Sequence, residues 1–334
     1  MAEVSTPDAP APRRNRNPYG EESPDAFAPL AAYEGAEPPA PDWFKAALAQ
    51  APEECLVETP RGKLELLTWG EVGKPGVLLI HGTACHAHWW AFIAPFLAND
   101  YRVAAFSVAG HGGSDWRDHY SSREFGQDAE ACARAAGLYE SGRPPIYVGH
   151  SLGGAMTFCV AEDHPEQMSG AVLVDCSFKG PKAADIKAMA AAPRERRIHS
   201  SEVEAIMRFR LTPPQPARAH YIIDYIARTS LGPTPRPDGC GLGFAWRHDP
   251  GLWGKLELGH ERGPFPDGPV HVKPPLVHLV GDRSHVSLHR LPNGDPLGPE
   301  VPVIALPDCG HHFMVDQPMA LVATLRTLLA VWPA

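Results

Sequence analysis

One serine of this sequence stands where the backbone is predicted to turn sharply. Ser151 is the centre of the run Gly-His-Ser-Leu-Gly at 149–153, which follows an apolar stretch at 146–148 and precedes a helical one. Small flanking residues let the backbone bend, and the hydroxyl group then stands clear of the sheet. The N-terminus of the following helix adds a positive partial charge beside it. In this setting the pattern predicts a nucleophilic serine, whereas the five residues alone would also suit an ordinary turn.

A serine that attacks a carbonyl carbon needs N–H donors for the oxyanion that develops. Two fixed donors are typical, and each contributes roughly 3 to 4 kcal/mol. We predict that one donor is the N–H of Leu152, the residue after the serine. The other is predicted to be the N–H of Thr83, at the tip of the loop that follows His81-Gly82 and the apolar run at 77–80.

Residues around this loop also invite a metal interpretation. His81, Cys85, His86 and His88 lie close together in the sequence, and all four residue types bind transition metals. The dinuclear hydrolase pattern His-x-His-x-Asp-His is absent, however, because two tryptophans follow His88. We therefore predict no metal and no other cofactor.

Short apolar runs predict the strands that must position these residues. Nearly continuous apolar segments are typical of strands buried on both faces of a parallel sheet. Helical stretches alternate with them, which predicts an α/β fold with a mostly parallel sheet flanked by helices. The predicted strands cover 77–80, 102–108, 146–148, 171–174, 276–280 and 303–306, and the predicted helices between them cover 121–139, 152–163 and 318–331.

The alternation of strands and helices breaks between Asp175 and Pro274. About a hundred residues there contain no convincing central strand, and a structureless loop of that length is improbable in a compact domain. We predict a helical cap over the carboxyl edge of the sheet, inserted between strands six and seven. The predicted division is a flexible Pro/Ala-rich leader at 1–45, a core at 46–178 and 270–334, and a cap at 179–269 with helices at 182–192, 200–210 and 217–230.

Charge and cysteine content exclude several classes of protein. The chain has 30 basic and 39 acidic residues, and a net charge of -9 disfavours nucleic acid and anionic membranes as partners. No apolar run reaches the ~18 residues of a spanning helix, and no apolar segment follows the basic cluster at 13–16, so we predict no secretion signal. Seven scattered cysteines without a Cys-x-x-Cys pair predict reduced thiols in the cytoplasm. These features are compatible with a homo-oligomer and do not determine the oligomeric state.

Four motifs together resemble the α/β-hydrolase superfamily. They are His81-Gly82, the run Ala-Gly-His-Gly-Gly-Ser-Asp at 109–115, the serine run at 149–153, and Gly310-His311, in that order and at suitable spacing. The resemblance covers roughly residues 55–334 and implies the α/β-hydrolase fold. It is specific for the superfamily and leaves the substrate undetermined. Epoxide hydrolases and haloalkane dehalogenases of this fold carry a carboxylate at the nucleophile position, so Ser151 argues against both.

The resemblance implies a histidine base and a carboxylate beside the serine. His311 follows Gly310 as in the family pattern, and its neighbour His312 is the weaker alternative. The usual acid position, after strand seven, holds Ser284. Asp282 lies two residues earlier, an offset of about 6 to 7 Å in extended chain. Asp175, after strand six, matches relatives that place the acid there; we favour Asp175 and keep Asp282 as the alternative.

These residues predict a serine hydrolase that acts through an acyl-enzyme intermediate. A small carboxylic ester with an apolar or aromatic group is the expected substrate. A lactone or a carbon-carbon bond beside a ketone is the alternative, and a non-catalytic hydrolase-like binding protein is the alternative from another class. The candidate substrate contacts are Trp89, Trp90, His150, Phe244 and Trp246.

Overall fold

A computed structural model describes residues 28–176, 196–257, 272–286 and 300–332 of the chain. The predicted cap helix at 182–192 and most of the predicted leader lie outside the described residues. Within the leader, the structure differs from the prediction of a flexible segment. Leu30 and Phe44 are buried in the core, because the aromatic side chains near the end of this segment pack against the cap, as Phe44 does on Tyr221.

The described residues contain twelve strands and eight α-helices. The strands are β1 (Glu53–Thr59), β2 (Gly62–Trp69), β3 (Gly76–Ile80), β4 (Arg102–Phe106), β5 (Tyr120–Ser121), β6 (Ile146–His150), β7 (Gly170–Val174), β8 (Leu231–Pro235), β9 (Leu242–Trp246), β10 (Leu256–Glu257), β11 (Leu276–Gly281) and β12 (Val303–Leu306). The helices are α1 (Asp42–Leu48), α2 (Ser122–Ala135), α3 (Leu152–Asp163), α4 (Glu202–Met207), α5 (His220–Thr229), α6 (Leu252–Lys255), α7 (Phe313–Asp316) and α8 (Pro318–Val331).

Eight of these strands form one mostly parallel sheet. Their order is β1-β2-β4-β3-β6-β7-β11-β12. The pairs β1-β2 and β2-β4 are antiparallel, and every other neighbouring pair is parallel. This sheet with its flanking helices confirms the predicted fold class. The carboxyl ends of β3, β6, β7 and β11 therefore lie side by side, and the candidate site forms at that edge.

The central strands are buried on both faces, as their unbroken apolar sequences predict. In β3, Val77 and Leu79 join one hydrophobic cluster, which includes α1, α5 and α8. Leu78 and Ile80 point the other way, into a second cluster with α2 and α3. Alternation of side chains along the strand explains why both faces need apolar residues.

Residues 196–257, here called the cap, lie between β7 and β11, the sixth and seventh strands of the main sheet along the chain. Two predicted helices correspond to α4 and α5. The structure adds an antiparallel hairpin, β8-β9, where the sequence showed no central strand. The hairpin is separate from the main sheet, and its turn contains Gly239 and Gly241 at positive φ. The sequence did not predict the hairpin because the segment is rich in proline and glycine.

Polar contacts fasten the second half of the cap to the glycine-rich turn at 109–115. The Arg247 guanidinium lies 2.9 Å from the Glu65 carboxylate, and the carbonyl of Arg247 accepts from the N–H of Gly112 at 2.7 Å. Asp249 bonds to the core twice: its N–H donates to the carbonyl of Gly110 at 2.7 Å, and its carboxylate accepts from the Tyr120 hydroxyl at 2.8 Å. The turn therefore anchors the cap.

Two global features bear on the sequence predictions. All seven cysteines are free thiols, and five of them are buried. In the part of the chain that the structure describes, no helix is both long and apolar enough to cross a membrane.

Candidate functional site

The serine turn joins β6 to α3 with a strained backbone. Ser151 has φ 54° and ψ -119°, a combination that L residues seldom adopt, and its N–H donates to the carbonyl of Val174 at 2.9 Å. Any side chain at position 153 would collide with the carbonyl oxygen of His81. Glycine is therefore needed there by close approach, as the sequence pattern suggests.

Ser151, His311 and Asp175 form a continuous row of hydrogen bonds. The Oγ of Ser151 lies 3.0 Å from the Nε2 of His311, and the Nδ1 of His311 lies 2.6 Å from the Oδ2 of Asp175. Asp175 is fully buried and His311 nearly so. A buried carboxylate next to Nδ1 holds the proton on that nitrogen, which leaves Nε2 free to accept the serine proton.

Residues of β11 and the turn after it hold Asp175. The Ser284 hydroxyl, fully buried, donates to Asp175 Oδ2 at 2.5 Å, and the N–H of Gly281 donates to Oδ1 at 3.3 Å. Asp175 itself has φ 46°, and its N–H donates to the carbonyl of Leu279 at 2.8 Å. Ser284 occupies the usual acid position after β11. Its hydroxyl thus donates a hydrogen bond to the carboxylate of Asp175, which follows the neighbouring strand β7.

The alternative acid, Asp282, has a different partner. Its Oδ1 accepts the N–H of Cys309 at 3.0 Å and thereby fixes the backbone of the loop that carries His311. Of the two candidate acids, the structure brings Asp175 to His311.

A half-buried carboxylate fastens the same loop. Asp316 Oδ2 accepts from the N–H of Gly310 at 2.7 Å and from the side-chain amide of Gln215 at 2.9 Å. Burial raises the pKa of Asp316 to about 6. The Oε1 of Gln215 also accepts the N–H of His312 at 3.1 Å. Gln215 and Asp316 could not be found from the sequence, since neither belongs to a recognisable motif, and Ser284 was noted there only as the residue at the usual acid position.

The rings of two further histidines, His150 and His312, pack against the ring of His311. The Nε2–H of His150 donates to the carbonyl of His311 at 2.9 Å, and that of His312 donates to the carbonyl of Pro213 at 3.3 Å. Burial, and then the neighbouring His311, lowers the pKa of His150 to about 3 and holds that of His312 well below its usual value. Both rings are therefore neutral at pH 7. His312, the weaker candidate base, faces the cap.

The rings of His150, His311 and His312 are also the group of described residues that could hold a metal ion together. One ring nitrogen of each lies within 4.8 Å of those of the other two. His81, Cys85, His86 and His88 form no such group among the described residues. His81 instead accepts the N–H of Val108 at 2.9 Å, and His86 bonds to the Ser230 hydroxyl at 2.8 Å. The hydrogen bonds of the three rings account for their positions.

The two predicted oxyanion donors flank Ser151. Leu152 follows it in the chain and begins α3. Thr83 follows Gly82, which lies very close to Ser151. A Cβ added at position 82 would be only 2.9 Å from the Cβ of Ser151. Within the described ranges, the N–H groups of Thr83 and Leu152 donate to no protein acceptor. Both are therefore available to an oxygen that develops charge beside Ser151.

A cavity of about 530 Å³, here called the cap cavity, lies between the Thr83 loop and the cap. Trp89 and Trp246, both predicted substrate contacts, line it. The other three predicted contacts are elsewhere among the described residues. Trp90 is buried in the core, Phe244 packs half-buried against that core, and His150 lies beside the His311 ring.

Comparisons with known proteins show which proteins the chain resembles. The chain is similar to a fluoroacetate dehalogenase of a Burkholderia species, with 35% identity over 107 residues that cover 30% of this chain and 34% of the relative. It is also similar to the lipase LipV of Mycobacterium tuberculosis, with 34% identity over 134 residues, 39% of this chain and 49% of the relative. The chain thus spans between a third and a half of the length of these curated relatives.

Solved structures share the fold along most of the chain. A thioesterase domain from the curacin biosynthetic pathway matches with a TM-score of 0.66 and 21% identity, over 83% of this chain and 99% of that domain. An E-2-(acetamidomethylene)succinate hydrolase matches with a TM-score of 0.65 and 19% identity, over 84% and 99%. The sequence model of the alpha/beta hydrolase family matches residues 77–325, well over half of the chain. The chain therefore belongs to the alpha/beta hydrolase family.

Proposed function

We propose that the protein is a serine hydrolase that cleaves a carboxylic ester through an acyl-enzyme intermediate. The observation that carries the proposal is the row of hydrogen bonds from Asp175 through His311 to Ser151. Such a row activates a hydroxyl group that is a weak nucleophile at neutral pH. The membership of the chain in the alpha/beta hydrolase family and the lipase among its relatives support the same reaction type.

Each residue of the row has a defined task in the proposed mechanism. The Ser151 oxygen attacks the carbonyl carbon while His311 Nε2 takes the serine proton, and Asp175 stabilises the imidazolium that forms. The N–H groups of Thr83 and Leu152 bind the oxyanion. The alcohol leaves with the proton from His311, and the acyl group stays on Ser151. Water that gives a proton to His311 then attacks the acyl-enzyme and releases the acid.

Two alternative reactions would use the same residues, whereas a non-catalytic binding protein would use none of them for chemistry. A lactone would open by the same attack, and a ketone beside a breakable carbon-carbon bond would suit the same oxyanion donors. A non-catalytic binding protein would not need the strained turn at Ser151 or a buried carboxylate behind His311, because both cost stability. The cytoplasm is the proposed location, since free cysteines are typical of a reducing compartment.

A substrate panel tests the proposed reaction. We expect the purified chain to hydrolyse short nitrophenyl carboxylic esters, with a rapid first release of nitrophenol equal to the enzyme concentration if deacylation is slow. Lactones and diketones of similar size, assayed in parallel, decide between the ester and its alternatives. No turnover of any of the three classes would contradict the proposed function.

Ser284 is expected to position the acid. Ser284→Ala removes the hydroxyl that donates to Asp175 and leaves the carboxylate with one fewer donor, so we expect kcat to fall by roughly tenfold to a hundredfold, the value of one hydrogen bond to a charged group. KM should change little, because Ser284 is fully buried. Steady-state kinetics measure both constants. Ser122→Ala, at another buried serine on α2, is the matched control and should keep wild-type kcat; an unchanged kcat in Ser284→Ala would contradict the role.

A further inference from the structure

We propose that the substrate of this site carries a negatively charged group, a carboxylate or a phosphate, that binds in the cap cavity. The inference rests on the proposed function, since it assigns the substrate class of the same serine. It departs from the expectation of a purely apolar or aromatic substrate. The charges of the cavity wall and the location of the cavity support it.

Basic side chains dominate the charged part of the cavity wall. Arg197, Arg208 and Arg210 line the cavity, and no aspartate or glutamate occurs among its described lining residues. The whole chain has a net charge of -9, so a concentration of three arginines on one wall opposes the average of the molecule. A concave surface lined by one sign of charge concentrates ligands of the opposite sign.

Most of this positive charge is not neutralised within the protein. Arg197 and Arg210 make no ion pair or hydrogen bond with any described residue, and both are exposed members of the cavity lining. Arg208 Nε lies 3.4 Å from the Glu204 carboxylate, which also accepts from the hydroxyl of Ser200 at 2.7 Å. At least two guanidinium groups are therefore available to a ligand, and guanidinium groups suit the planar oxygens of carboxylate and phosphate.

The cavity joins this charged wall to the loop beside the serine. Its lining includes Thr83 and Ala84, which directly follow Gly82, the residue that lies against Ser151. It also includes cap residues 207–212 and Arg197. A substrate whose carbonyl oxygen reaches the N–H of Thr83 can extend its other end along the cavity toward the arginines.

Matched neutral and charged substrates test the inference. One pair is nitrophenyl butyrate and the mono-nitrophenyl ester of succinic acid, which differ by a carboxylate on the acyl chain. A second pair is the butyryl thioester of pantetheine and that of 4′-phosphopantetheine, which differ by one phosphate. We expect kcat/KM to be at least tenfold higher for the charged member of one pair, and the preference to shrink at high salt because of screening. The pair that shows the preference identifies the charged group.

Arginine variants separate this inference from the chemistry of the serine. In Arg197→Gln/Arg210→Gln, we expect kcat/KM for the preferred anion to fall by roughly twenty-five-fold, about fivefold for each partly exposed charge pair, and kcat/KM for the neutral ester to fall much less. Arg326→Gln, at an exposed arginine on α8, is the matched control and should keep the preference. Equal losses for charged and neutral substrates would overturn the inference, as would a wild-type enzyme without charge preference.

Binding to an inactive variant decides the inference without turnover. Calorimetry with Ser151→Ala should detect tighter binding of the succinate monoester than of the butyrate ester, and the two arginine substitutions should remove the difference. Equal affinities would overturn the inference. If neutral esters are hydrolysed with a Ser151-dependent rate but no charge preference exists, the proposed function stands and this inference fails. If the anion binds and no ester is cleaved, the proposed function fails alone.

Discussion

Ser151→Ala is expected to lower kcat for a short nitrophenyl ester by about a millionfold, to the rate left by the oxyanion donors and binding alone. The hydroxyl oxygen is the atom that forms the acyl bond, so no neighbouring group replaces it. Alanine keeps the Cβ that faces Gly82 and removes one oxygen, and the fold should survive. Steady-state kinetics measure the loss, and circular dichroism with thermal unfolding checks the fold.

Covalent labelling provides an independent readout for the same serine. Treatment of the wild-type chain with a fluorophosphonate should add one phosphonyl group, and mass spectrometry of peptides should place it on Ser151. The variant should gain none. Ser200→Ala, at an exposed serine of the cap, is the control and should react as the wild type does. Retained turnover in Ser151→Ala, or a label on another serine, would contradict the proposed nucleophile.

Asp175→Asn is expected to lower kcat by roughly ten-thousandfold, with little change in KM. The asparagine amide can donate a hydrogen bond to the Nδ1 of His311, which would place the proton on Nε2 and remove the acceptor that Ser151 needs. The carboxylate that stabilises the imidazolium is lost at the same time. Measurement of kcat across pH separates this loss from an altered protonation of His311.

Asp282→Asn is the matched control for the acid. Asp282 accepts the N–H of Cys309, and an asparagine oxygen can accept the same bond. We therefore expect kcat to fall by less than about fivefold, the scale of one neutral hydrogen bond. A loss of several orders of magnitude in Asp282→Asn, together with a small loss in Asp175→Asn, would assign the acid to Asp282 instead.

The fold followed closely from local sequence patterns. The apolar runs at 77–80, 146–148 and 171–174 match β3, β6 and β7 within a few residues, because strands buried on both faces require apolar residues at every position. The hairpin β8-β9 escaped prediction for the opposite reason. It is a two-stranded element outside the main sheet, and the prolines and glycines at 231–243 break the apolar pattern on which strand prediction depends.

The site divides in the same way between local and long-range determinants. The turn at Ser151 is local: glycines on both sides and a strand-to-helix change occur within a few residues, so a single stretch of chain predicts it. His311 could be predicted from its order among the motifs. Gln215 and Ser284 could not, because each acts through a hydrogen bond to a residue about a hundred positions away.

The sequence by itself determined the class of fold and predicted the nucleophile and the base, since their signals lie within short stretches or in the order of short stretches. The tertiary structure decided which acid approaches His311. Two aspartates follow two neighbouring strands, and spacing along the chain cannot reveal that β11 presents Ser284 to the carboxylate while Asp282 turns to the backbone of Cys309. The tertiary structure also decided the charge of the cap cavity. Nothing in the sequence distinguishes Arg197, Arg208 and Arg210 from ordinary surface residues, and only the folded cap brings them to the cavity that Thr83 also lines.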